Sequence, residues 1–150
     1  MTLNFNEPTI LNGGRAVDDR GALQFFNDLE LNQFKRFYSV ENHEVGFIRA
    51  WHGHLKESKV IFPIRGTILA CAVKLTSTEN PDKNAAVSRF VLSATNPKAL
   101  FIPSGYANGF KTLTADSLVM VLSSTTLKDS IDDDYRYPFD YWNPWHVEQR

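Results

Sequence analysis

Cysteine is almost absent from these 150 residues: Cys71 stands alone. One thiol cannot close an internal disulfide. Its run, Ile68-Leu69-Ala70-Cys71-Ala72-Val73, puts no cation beside it to make a thiolate, so a packed core thiol is expected. Long apolar runs are missing too. Nothing approaches the roughly 20 apolar residues that span a bilayer. The opening Met1-Thr2-Leu3-Asn4-Phe5-Asn6 has neither the basic nor the apolar region of a signal peptide, so a cytoplasmic protein outside the membrane is expected. A formal net charge of −1 argues against the basic face that nucleic acid demands. An anionic ligand must then be held by a few local arginines and lysines. No sustained 3.6-residue apolar period occurs either, so helices should be few and short.

What the sequence has in quantity is short strand-like runs. Ala22 to Phe26, Phe34 to Val40, Phe47 to Trp51, Val60 to Ile64 and Thr67 to Leu75 carry aromatic and β-branched residues between turn signals. Val87 to Leu92, Ala99 to Ile102, Gly109 to Leu113 and Leu118 to Ser123 complete the set. Gly13 to Gly21 carries two turn signals around a short strand, and Arg65-Gly66 reads as a two-residue hairpin. Thr76 to Ala85 reads as an exposed loop, Lys128 to Asp134 is acidic and polar, and its run Asp132-Asp133-Asp134 reads as a solvated face, without the alternating ligands of a calcium loop. Tyr135 to Trp145 is too aromatic to stay in water and should pack on the body of the protein or on a partner subunit. Without internal repeats or a long linker, residues 1–150 are expected to form one all-β domain, an antiparallel sandwich or barrel.

The stretch Gly46 to Gly66 organises the rest. A glycine is followed after five residues by His52-Gly53-His54, and Gly66 closes the pattern. This is the spacing of the first cupin motif, and Pro103-Ser104-Gly105-Tyr106-Ala107-Asn108 resembles the second. The two together select a cupin jelly-roll barrel. Residues at i and i+2 on a strand share a face, so both histidines should look into the barrel. Metal-binding cupins add a Glu and a third His, but those slots hold Lys59 and Asn108. An ammonium has no lone pair, and an amide is a poor ligand for metals that imidazole selects. No metal and no cofactor are expected.

Two imidazoles, an ammonium, an amide and nearby Arg49 suit a carbonyl compound. A neutral imidazole can remove a proton beside a ketone, and a fixed cation stabilises the enolate oxygen as charge develops there.

Arg49-Ala50-Trp51-His52 resembles the R-G-x-H motif of dTDP-4-dehydrorhamnose 3,5-epimerases. Asp18-Asp19-Arg20-Gly21 resembles their D-x-R-G, and Pro103 to Phe110 their P-x-G-F-A-H-G-F. His52-Gly53-His54-Leu55-Lys56 and Val119 to Ser124 are similar to dTDP-4-keto-6-deoxyglucose 3,4-ketoisomerases. The resemblance runs from about Gly14 to Tyr141. It implies a catalytic base at His52, a lysine near the ketone oxygen at Lys59, and substrate contacts from Arg20, Arg49, Asn108 and Tyr106. His54 becomes a second acid/base or an orienting group. Dimers are common among such proteins, with one subunit lending residues to the other's nucleotide site, so a homodimer is expected.

Two departures matter. The epimerases carry a catalytic Tyr on the strand where this sequence has Ser123-Ser124-Thr125-Thr126, which leaves Tyr38 as the replacement acid. They also pair the catalytic His with an Asp near a longer C-terminus, which has no counterpart before Arg150. A one-centre epimerisation or a keto shift therefore fits better than a double epimerisation. The rival readings are a non-catalytic nucleotide-sugar-binding cupin and a metal-dependent cupin.

Overall fold

Where apolar and polar residues alternate, the chain forms strands buried on one face. Where apolar residues run on, both faces are buried. The computed structural model describes Leu3 and residues 5–150; Met1, Thr2 and Asn4, part of the opening tested for a leader, lie outside the described residues. The strands are β1 (Thr9–Asn12), β2 (Gly14–Asp18), β3 (Gly21–Phe25), β4 (Arg36–Glu41), β5 (Ile48–His54) and β6 (Lys59–Arg65). They continue with β7 (Thr67–Lys74), β8 (Val87–Ser93), β9 (Lys98–Ile102), β10 (Tyr106–Thr112), β11 (Leu118–Ser123) and β12 (Tyr135–Arg136). Leu127–Ile131 (α1) is the single helix among the described residues, and no helix there is long and apolar enough to cross a membrane.

Two antiparallel five-stranded sheets pack face to face, in the orders β1-β9-β6-β11-β4 and β12-β5-β10-β7-β8, with β2-β3 as a separate hairpin. This is the expected all-β jelly roll. β4 shows the alternation: Arg36, Tyr38 and Val40 turn inward while Phe37, Ser39 and Glu41 face water. β7 shows the run. Ile68, Ala70 and Ala72 join Ile61, Leu100, Ile102, Phe110, Val119 and Val121 between the sheets. Leu69, Cys71 and Val73 face outward, where Trp142 and Trp145 cover them with Trp51 and Ala107. Each such large side chain contributes about 1.5–3 kcal/mol by leaving water.

The aromatic tail thus packs on its own barrel and is not spare material for a partner. Trp51 Nε1 donates to the carbonyls of Phe139 (3.1 Å) and Trp142 (3.0 Å), tying tail to sheet. Leu3 and Phe5 likewise pack on the first sheet, against Val60, Ala99 and Phe101. Cys71 is buried, and burial pushes its thiol up to about 12, so it stays protonated.

Three local readings are corrected. Arg65-Gly66 is not a hairpin: β6 pairs with β9 and β11, while β7 pairs with β10 and β8, so the chain changes sheets there. Gly66 has φ +79°, and a Cβ would lie 2.3 Å from Ser117 Oγ, so the corner needs glycine. β1 was not among the runs read as strands, but it pairs along β9. The run Asp132-Asp133-Asp134 is not merely a solvated face, and the polar stretch Lys128 to Asp134 is not without structure. It holds most of α1, whose N-cap is Thr126, and it buries Asp133.

Candidate active site

The site is a cavity of about 350 Å³ between the two sheets, with its mouth beside α1. β5 brings His52 and His54, β6 brings Lys59, β4 brings Arg36 and Tyr38, and β10 brings Asn108. Arg49 also lines it, although simple alternation would put a residue three before His52 on the opposite face. A bulge explains the change. Asn108 pairs with His52 but Phe110 pairs with Arg49, so Ala50 and Trp51 together face Gly109. A Cβ on Gly109 would lie 2.4 Å from Ala50 Cβ, so only glycine permits this approach. Arg49 is then fixed at the rim, its Nε donating to Asn42 Oδ1 (2.7 Å) and its Nη2 to the Glu41 carbonyl (3.3 Å).

His52 is the imidazole open to the cavity. Burial first, then the charges of Lys59 and Arg136, lower it to about 4, with Asp134 opposing. It is therefore neutral, with a free lone pair, across the neutral pH range. Asn108 Nδ2 donates to the His52 carbonyl at 3.2 Å and steadies the strand there.

His54 is held differently. Its Nδ1 lies 2.6 Å from the Asp133 carbonyl, which can only accept, so Nδ1 carries the proton. Its Nε2 lies 3.1 Å from Glu57 Oε2. Burial, then the Lys59 charge, lowers His54 below the ordinary histidine value against the pull of Glu57 and Asp133. Neither nitrogen is open to the cavity.

Glu57 was not singled out in the sequence, although it lies two residues before Lys59 in the Gly46–Gly66 stretch. Its side chain is fully buried. Oε1 accepts from the Ser123 hydroxyl, from Thr125 Oγ1 (2.9 Å) and from Arg36 Nη2 (3.2 Å). Oε2 faces His54 Nε2 and, at 3.5 Å, Lys59 Nζ. Burial pushes the carboxyl up, but the Lys59 charge, the two hydroxyls and His54 outweigh it and hold Glu57 below its ordinary value. Ser123 and Thr125, in the stretch that takes the place of the family tyrosine, thus anchor a carboxylate and do not supply an acid. Asp133 braces the same turn, its carboxylate accepting from the N–H groups of Leu55, Lys56 and Glu57 at 2.8–2.9 Å.

Lys59 Nζ also sits 6.0 Å from the Tyr38 ring centre, and the Arg36 guanidinium lies 5.1 Å from it. Tyr38 therefore reaches the cavity from the sheet opposite His52. Two expected substrate contacts do not. Tyr106 packs against the core between the sheets, and its hydroxyl approaches the Asn6 carbonyl at 3.5 Å. Arg20 projects from the β2-β3 hairpin, with its side chain 86% exposed and paired with Asp18. Arg136 and Asp134 line the cavity instead, and neither was among the expected site residues. Among the described residues, no three His, Cys, Asp or Glu side chains gather into a metal-binding group.

A sequence profile described as dTDP-4-dehydrorhamnose 3,5-epimerase matches residues 3–137. No curated protein matches the chain in sequence. Solved structures share the fold. The dTDP-4-dehydrorhamnose 3,5-epimerase of Bacillus anthracis str. Ames, with TDP and PPi bound, is 24% identical; the match covers 99% of this chain and 90% of that one, with a TM-score of 0.76. QdtA, a sugar 3,4-ketoisomerase from Thermoanaerobacterium thermosaccharolyticum in complex with TDP, is 17% identical over 92% and 93%, TM-score 0.69. RmlC from Legionella pneumophila Philadelphia 1, in complex with dTDP-4-keto-L-rhamnose, is 17% identical over 93% and 77%, TM-score 0.71.

Proposed function

The chain belongs to the dTDP-4-dehydrorhamnose 3,5-epimerase family of dTDP-sugar isomerases, and from that premise we propose how it acts and on what. The substrate is a dTDP-linked 4-keto-6-deoxysugar, and the reaction is a one-centre epimerisation or a shift of the ketone to a neighbouring carbon. The observation that carries this reading is the pairing, in one cavity, of a neutral His52 with the buried Lys59 ammonium.

His52 removes the proton next to the ketone, and the electron pair moves onto the ketone oxygen. Lys59 stabilises the resulting enolate as charge develops on its oxygen. His52, now imidazolium among cations, returns its proton readily. For a keto shift, the proton of the neighbouring hydroxyl passes to the former ketone oxygen while His52 returns its own proton to the former ketone carbon, so that the neighbouring C–OH becomes the new ketone. Protonation of the original carbon on its other face by Tyr38 completes an epimerisation. Arg36, Arg49 and Arg136 at the cavity favour the diphosphate, whose negative charge in turn raises His52 toward a more basic value. No cofactor is needed for these steps. The test is incubation with dTDP-4-keto-6-deoxyglucose in deuterated water. Deuterium at a ring carbon beside the ketone supports the enzyme; unchanged substrate in the presence of tight binding favours a non-catalytic nucleotide-sugar-binding cupin.

We further propose a cytoplasmic homodimer in which Arg20 serves the second copy's site. Support comes from Val17 and Leu23 on the β2-β3 hairpin and Phe37 on the edge strand β4, exposed by 71%, 63% and 71%. Light scattering that gives the mass of one chain, 17.1 kDa, at micromolar concentration would refute the dimer.

A further inference from the structure

We propose that Glu57 is the positioning residue of this site: it pins the Lys59 ammonium to the cavity wall and faces the second nitrogen of His54, leaving His52 as the only histidine that exchanges protons with substrate. The proposal rests on the isomerase reading for its kinetic part and on geometry alone for the rest.

A carboxylate with no exposed side-chain surface cannot touch a sugar. A buried charge is also poor evidence of a stability role, because its desolvation tends to cancel what its partners return. The two oxygens of Glu57 divide their work. Oε1 is gripped by the Ser123 and Thr125 hydroxyls and by Arg36, which fixes the carboxylate plane. Oε2 is then aimed at Lys59 Nζ, 3.5 Å away, and at His54 Nε2, 3.1 Å away. Lysine has a flexible four-carbon stem, so a fixed counter-charge is what makes its ammonium a pre-organised electrostatic donor.

For His54 the consequence is exclusion. With Nδ1–H given to the Asp133 carbonyl, Nε2 lies buried 3.1 Å from Glu57 Oε2 and is not open to the cavity. Both atoms of that contact are buried without a properly aligned hydrogen-bond partner. His52, two residues earlier on the same strand, has no side-chain partner of its own among the described residues. Two histidines of the same motif are thereby given unlike tasks, which their i, i+2 spacing does not show.

The test joins a spectroscopic readout to a kinetic one. Two-bond ¹⁵N–¹H spectra of the full chain read each histidine's tautomer, and a pH series reads its titration. The charged or titratable groups about His54 are Glu57, Lys59, Asp133 and His52. We expect His54 as the Nδ1–H tautomer, not titrating near the ordinary histidine value of about 6.5. Glu57→Gln is expected to lower kcat by about 10- to 100-fold with KM little changed, as for a donor displaced by about 1 Å. In a Lys59→Ala background the same substitution should cost little more. A titrating His54 in the Nε2–H form would overturn the proposal, as would equal Glu57→Gln losses in both backgrounds. A locked His54 in a protein that exchanges no ketosugar proton would bring down the isomerase reading and leave the lock standing.

Discussion

Replacing Lys59 with alanine removes the one ammonium that faces both the cavity and Glu57. Three effects follow, and each has a sign. The enolate loses its electrostatic donor, which costs about 100- to 1000-fold in kcat, or about 2.7–4 kcal/mol of transition-state stabilisation. His52 loses the second-largest influence holding it down, so it should rise from about 4 toward the ordinary histidine value. A base must be deprotonated to work, so the acid limb of kcat/KM should move to higher pH in the variant. Glu57 loses a cation but keeps Arg36, Ser123 and Thr125, so the protein should fold with a stability loss of about 1–3 kcal/mol. The assay is a pH–rate profile of both proteins, with binding of dTDP followed separately by calorimetry. Binding should persist, because the arginines are untouched. A variant with turnover within a few-fold of wild type and an unmoved acid limb would refute the enolate role.

Further expectations follow from the same geometry. His52→Asn should abolish proton exchange while leaving nucleotide-sugar affinity nearly intact; comparable turnover would remove His52 from the mechanism. In the wild-type protein, kcat/KM should fall only as pH drops through about 4, and not near the ordinary histidine pKa. Gly109→Ala forces a Cβ to within 2.4 Å of Ala50 Cβ, so the bulge must shift. Both the melting temperature and the Arg49-dependent affinity should drop, whereas unchanged values would mean the bulge is not needed. Trp142→Ala opens the seal on the second sheet at about 3–5 kcal/mol, a Tm loss on the order of 10 °C by thermal denaturation.

The strands were legible because burial on one or two faces writes itself into period-2 alternation or apolar runs, as β4 and β7 show. His52 and Lys59 were legible as cavity residues because the Gly46–Gly66 spacing fixes which strand face they occupy, whereas Tyr38 was reached only by elimination. Glu57 was not legible. Its burial depends on hydroxyls of Ser123 and Thr125, 66 and 68 residues away, and nothing within Lys56-Glu57-Ser58 records them. Asp133 was hidden for the same reason, its partners lying 76–78 residues away in the β5–β6 turn. Arg65-Gly66 carried a true turn signal. Whether that turn joins paired strands or changes sheets is decided by lateral partners that the dipeptide cannot specify.

The central claim is that this barrel moves a carbon-bound proton beside a ketone. Proton NMR of dTDP-4-keto-6-deoxyglucose with the wild-type protein in deuterated water tests it most directly. The account predicts loss of a ring-proton signal adjacent to the carbonyl, with deuterium appearing at that carbon, and no such loss with His52→Asn. Persistence of every ring-proton signal under saturating wild-type protein would contradict it.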